Sequence, residues 1–114
     1  MTKEPDNKRE TFRIHSELEA IIRLRDKKCV VKITDISSGG LKIVTNHVFP
    51  VGEYISVDFM VYSERVITLC QIVNIFQRSE TQNVYGLKYD YVTEPDLKKI
   101  RSFIFDAEAM SKWI

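Results

Sequence analysis

Residues 66–78 form one long run that is apolar on both faces, interrupted by Gln71 and Asn74. A strand of that length does not stay flat. The twist of a sheet predicts that it bends around a corner, with a bulge to let it turn. The runs around it share a two-residue period. Leu18, Ala20, Ile22 and Leu24 alternate with Glu17, Glu19, Arg23 and Arg25, with Ile21 as the exception, which predicts a half-buried antiparallel strand. Residues 29–34 and 41–45 are short strand-forming runs. Ile55, Val57, Phe59 and Val61 alternate with Ser56, Asp58 and Met60. Residues 84–91 place Tyr85, Leu87, Tyr89 and Tyr91 on one side, with Gly86 where another backbone is expected to approach.

Turns are expected at 26–28, 62–65 and 79–83, and a longer loop at 46–52, where Pro50 cannot donate to a ladder and Gly52 marks the next strand. Six strands with hairpin connections and no helix-period segment between them predict a small antiparallel barrel or sandwich. A helix follows from about residue 94. Thr93 and Asp96 resemble a capping box with Pro95 in the first turn, and Leu97, Ile100, Phe103, Ile104, Ala107 and Met110 recur at helical spacing. That face is expected to pack on the strands, with Trp113 and Ile114 as further packing residues.

The 114 residues suit one domain, and 44% apolar with 29% charged residues is ordinary for a soluble globule. There is no run of about 18 apolar residues that would span a bilayer. The first ten residues are too polar for a secretion signal, so a cytoplasmic protein is expected. Net charge is only +1, which argues against duplex nucleic acid and requires any anion site to be built locally. Cys29 and Cys70 sit in strand-like runs with apolar neighbours, as free core thiols do, so no disulfide is expected. His15 and His47 have no Cys or His at ligand spacing, so no metal or other cofactor is expected.

Two short stretches ask for more than a scaffold. Between the second and third strands lies a polar loop with Asp35, Ser37, Ser38, Gly39 and Gly40. Turn chemistry alone selects these residue types: Asp and Ser fold back on nearby N–H groups, and paired glycines permit positive φ. Upstream, Arg9 and Arg13 sit in a segment whose only large apolar residue is Phe12. The planar guanidinium fork matches phosphate oxygens and the O6/N7 edge of guanine, and its face stacks on purines. A carboxylate such as Asp35 complements guanine's N1–H and N2–H donors. The set suits a guanine nucleotide.

Arg9-x-x-x-Arg13 followed by Asp35-x-Ser37-x-x-Gly40 resembles the signature of PilZ domains, bacterial receptors for cyclic di-GMP. Pro50, Gly52, the stretch from Tyr85 to Tyr89 and the closing helix extend the resemblance over nearly the whole chain. It implies a six-stranded antiparallel β-barrel with a C-terminal helix, with residues 1–13 as a mobile tail carrying the arginines and 14–114 as the domain. It also implies that Arg9 and Arg13 take phosphate and guanine, that Asp35 and Ser37 read the other guanine side, and that Gly40 lets the backbone come close. Lys8, Ser38, Gly39 and Gly86 are accessory candidates.

The function so implied is that of a sensor, not an enzyme, which changes its tail and surface on binding and relays the signal to an effector protein controlling motility, biofilm or exopolysaccharide. Two other readings stay open on the sequence. One is a PilZ-like protein-interaction module without a nucleotide; the other is a single-stranded nucleic-acid binder with Phe12, Tyr54 or Tyr62 as stacking platforms. Ser37, His47 and Asp58 name a hydrolytic triad only on paper, since strand and turn positions explain each of them.

Overall fold

The computed structural model describes residues 14–111. Six strands, β1 (Ile14–Leu24), β2 (Lys27–Ile36), β3 (Gly40–Thr45), β4 (Tyr54–Val61), β5 (Glu64–Arg78) and β6 (Asn83–Tyr91), precede one helix, α1 (Glu94–Ser111). They close into an antiparallel barrel in the order β1-β2-β3-β6-β5-β4, so the expected barrel with its C-terminal helix is the observed fold. The expected tail, with Lys8, Arg9, Phe12 and Arg13, lies outside the described residues, as do Trp113 and Ile114.

β5 closes the barrel. Its first half pairs with β4, from Glu64 opposite Val61 to Gln71 opposite Tyr54, and its second half runs along β6 from Leu69 to Arg78. Register shifts at Leu69/Cys70, Ile72/Asn74 and Ile75/Gln77 bend it from one neighbour to the other, as the run of apolar residues on both faces predicts.

Two hairpins are tighter than expected. β1–β2 turns on Arg25 and Asp26, and β4–β5 on Tyr62 and Ser63, with φ of 59° at Arg25, 54° at Tyr62 and 67° at Ser63. Positive φ at the centre matches strand twist, and here it is imposed on residues other than Gly or Asn. Sequence signals therefore place the first turn one residue too late and make both turns too long.

The core is aliphatic, with Ile22, Ile33, Ile43, Ile55, Val57 and Ile72 all fully or almost fully buried, each contributing about 1.5–3 kcal/mol by leaving water. Tyr85 lies among them, and its phenol oxygen accepts the Phe49 N–H at 2.8 Å, so the buried hydroxyl has a partner. Cys70 is buried and free, and burial pushes its thiol up to about 11. Tyr91, expected beside Tyr85 and Leu87, points outward at 64% exposure.

Thr93 starts α1 as expected: its Oγ1 accepts the Asp96 N–H at 3.3 Å and its carbonyl accepts the Leu97 N–H at 2.8 Å. Asp96 reaches outward and accepts the Ile67 N–H of β5 at 3.1 Å, beyond the last residue that β6 pairs. Ile100 and Ile104 are buried and Phe103 half-buried against the barrel, where Tyr62 meets Phe103 edge-on and donates to Asp106 at 2.7 Å. Met110, placed on the packing face by spacing, is exposed.

On the outer wall Asp58 is covered by two arginines, with Arg65 Nη2 at 2.6 Å and Arg23 Nη1 at 3.3 Å. The Arg65 hydrogen bond, supported by Arg23, outweighs burial and holds the carboxyl below its ordinary range. A carboxylate with a depressed folded-state pKa stabilises the fold above its unfolded value of about 3.9 and loses that contribution as pH falls through the folded value. Asp58→Ala is expected to cost about 1–2 kcal/mol near neutral pH, the partners being partly solvated. The gap from wild type should close in melts below about pH 4; a gap independent of pH would assign the loss to packing.

Candidate functional site

An open cleft of about 270 Å³ crosses the outer wall where β2, β3, β5 and β6 converge; Asp35, Ser37, Gly39, Gly40 and Gly86 all line it. Five of the sequence-predicted residues thus meet in one place. Ser38 belongs to the same loop but does not line the cleft.

Asp35 reaches the cleft through an irregularity. In a regular strand it would share a face with Ile33, which is fully buried, but Ile36 is fully buried as well. The β2–β3 register shifts between Ile33 and Asp35, so Thr34 is an extra residue and Asp35 is turned out of the core. The carboxylate is still mostly covered. Lys42 Nζ lies 3.4 Å from Oδ2 and His15 Nδ1 lies 3.0 Å from Oδ1.

Ser37 supports the loop. Its Oγ accepts the N–H groups of Gly39 at 3.2 Å and Gly40 at 3.1 Å, while its own N–H donates to Gly40 O at 2.9 Å. β6 completes the clamp, with the Tyr89 hydroxyl donating to Ser37 O at 3.0 Å and the Tyr89 N–H to Gly39 O at 3.1 Å. Burial raises the Tyr89 phenol well above its ordinary range, so it remains a donor.

The two loop glycines do not adopt positive φ; among the described glycines only Gly52 does, at 98°. Gly40 is required for space instead. A Cβ there would collide with Leu87 O and stand 3.2 Å from Lys88 Cα, so the close backbone approach at Gly40 is that of β6. At Gly86 the neighbour is a ring and not a backbone: a Cβ would lie 2.7 Å from Phe76 Cε2.

Phe76, Lys42, Asn74 and Lys88 line the cleft without having been singled out from sequence. Phe76 is 55% exposed, and Lys42 Nζ stands 4.5 Å from its ring centroid, so one ammonium bridges the ring and Asp35. The cleft thus combines an aromatic face, two lysines, one carboxylate and backbone close to the surface. Such a set is chemically complementary to a planar heterocycle with N–H donors joined to an anion.

The paper triad is dispersed. Ser37 Oγ is engaged in its loop, Asp58 is held by arginines, and His47 lines a separate cleft. Among the described residues no group of three His, Cys, Asp or Glu side chains is placed to hold a metal ion. No helix of the described residues is long and apolar enough to cross a membrane.

The fold is shared with proteins of low identity. The Bacillus subtilis inhibitor of motility MotI/DgrA superposes with a TM-score of 0.77 at 16% identity, over 96% of this chain and 53% of that one. The PilZ domain of YcgR from Escherichia coli, solved with c-di-GMP, gives 0.71 at 16% identity over 90% and 92%. MrkH of K. pneumonia in its apo state gives 0.75 at 15% identity over 98% and 54%. This chain therefore spans about half the length of MotI and of MrkH. A comparison with curated proteins returns no match. The PilZ domain profile matches residues 7–106, a stretch that takes in both arginines, the Asp35 loop and most of α1, and the chain belongs to the PilZ domain family.

Proposed function

We propose that the chain is a receptor for cyclic di-GMP that binds the nucleotide over the Asp35 cleft and passes the signal to another protein. The observation that carries it is where the barrel begins. Ile14 pairs with Ile36 and His15 with Asp35, so the segment bearing Arg9 and Arg13 is joined to the barrel beside the outward-turned carboxylate. At 3.3–3.6 Å per residue, Arg9 is tethered within about 18 Å of Ile14. Asp35 accepts the N1–H and N2–H of one guanine, Phe76 offers it a stacking face, and the arginines and Lys88 meet the phosphates. YcgR, whose PilZ domain shares the fold, was solved with the same ligand.

Binding orders the arginine segment over the cleft and makes a composite surface for an effector. Fixing about ten residues costs on the order of 10 kcal/mol, against about 1.5–3 kcal/mol for each charge-assisted hydrogen bond, so affinity is middling and reversible. Calorimetry with cyclic di-GMP, cyclic di-AMP and GTP tests the ligand. Cyclic di-GMP should bind at least about tenfold tighter than either, and equal affinity for cyclic di-AMP would remove the guanine reading at Asp35. Hydrogen exchange tests the clamp: amides of residues 3–13 should gain protection with ligand while Ile22 and Val57 change little. Unchanged exchange in 3–13 would leave a preformed pocket.

A further inference from the structure

Among the described residues, the start of β2 has an edge without a strand partner. β2 is paired with β1 along Lys27–Val31, but its pairing with β3 begins only at Lys32, opposite Val44. The β1–β2 turn leaves Leu24 opposite Lys27, and a two-residue hairpin makes such a flanking pair hydrogen-bonded. Alternation from there turns the N–H and C=O of Lys28 and Val30 away from β1, toward the side that β3 leaves empty. No hydrogen bond from the described residues meets them.

Beside this edge lies a second cleft, of about 450 Å³, between the start of β2 and the β3–β4 loop. Leu24, Cys29 and Phe49 give it an apolar lining, and Arg25, Lys27 and Lys28 also line it. Arg25 is engaged by Glu53 at 3.1 Å. Lys27, Lys28 and Lys32 make no ion pair with the described residues. Lys28 stands directly opposite Arg23 in the register, and Arg23 is already held by Asp58, so Lys28 is the charge of the two that an added anion can meet.

From this geometry we infer that the Lys28–Val30 edge receives an extended strand of a partner protein, one that alternates acidic and apolar residues. The partner's main chain completes the ladder at Lys28 and Val30, its apolar side chains enter the cleft over Cys29 and Phe49, and its carboxylates lie along Lys28 and Lys32. Lysine on an edge discourages pairing with an identical edge, so the charge selects an acidic strand over a second copy of this chain. Lys28 and Asp35 are on the same strand, about 23 Å apart along it, so partner and nucleotide occupy different ends of β2. The edge stands apart from the nucleotide reading, and its test needs no nucleotide.

The experiment is residue-resolved hydrogen exchange with a short capped peptide of alternating valine and glutamate. Without peptide, Lys28 and Val30 amides should exchange much faster than those of Cys29 and Val31. With peptide, Lys28 and Val30 should slow by at least about tenfold while the Asp35 cleft is unchanged. A valine–lysine peptide should give no slowing on the wild type, and Lys28→Glu should weaken the glutamate peptide. No protection at Lys28 and Val30 with millimolar glutamate peptide overturns the proposal, as does equal protection by the lysine peptide. Slowing of the same two amides by self-association, at high protein concentration without peptide, overturns it in favour of a second copy.

Discussion

Gly40→Ala is expected to lower the thermal midpoint by about 10 °C or more, the largest stability loss among the cleft residues. The side chain it adds is a single methyl. That methyl has nowhere to go, because Leu87 O already occupies the position and Lys88 Cα stands behind it at 3.2 Å. Both obstacles are main chain, and neither can rotate away. Relief requires β3 to move from β6 at the first pair of their ladder, Gly40 opposite Lys88, and that movement pulls on the Ser37–Gly40 and Tyr89–Gly39 hydrogen bonds. Overpacking of this kind costs about 3 kcal/mol. Gly39→Ala is the control: its Cβ would find only Ser37 Oγ, at 4.0 Å, and φ is not positive, so the midpoint should stay within about 2 °C of wild type. A wild-type midpoint for Gly40→Ala would mean that the β3–β6 contact is looser than this geometry. The last glycine of the motif is therefore a packing residue first, whatever it offers to a ligand.

Strands and barrel were legible because burial and period agree in them: Ile22, Val57 and Phe59 each lie where alternation places a core side chain. Turn edges were less legible. Arg25, Tyr62 and Ser63 carry positive φ without the residues that normally announce it, since the strands on either side hold the turn in place. The motif half of the site was visible as Asp35, Ser37 and Gly40, but the geometry that makes Asp35 available was not. It rests on Thr34 being an extra residue, for which the only sequence sign is that Ile33 and Ile36 are both apolar and three apart. Lys42 stands opposite Asp35 in the β2–β3 hairpin only after the Thr34 bulge has reset the register, while Phe76 and Asn74 join the cleft only when β6 and β5 pack beside β3, and bulges in β5 set which of its side chains face it. Period-two reasoning cannot survive a bulge.

Asp35→Ala is expected to weaken cyclic di-GMP binding by at least about tenfold while leaving the fold intact. The substitution removes both side-chain acceptors and leaves the backbone of the loop as it is. A carboxylate presents two acceptors to guanine's adjacent N1–H and N2–H, and without them both donors are left unpaired. The lost contacts with His15 and Lys42 matter little to stability, because His15 is 92% exposed and Lys42 can return to water. Arg13→Lys is the companion on the other side of the ligand. It retains the charge but loses the bidentate fork and the stacking plane, so it should bind almost as poorly as Arg13→Ala. Calorimetry on the three variants, with melting curves alongside, separates the causes. Weak binding with wild-type midpoints places the loss at the ligand. Wild-type affinity for Asp35→Ala would take guanine away from the β2 carboxylate. Full rescue by Arg13→Lys, with a steep fall in affinity as salt rises, would reduce the arginine to long-range attraction.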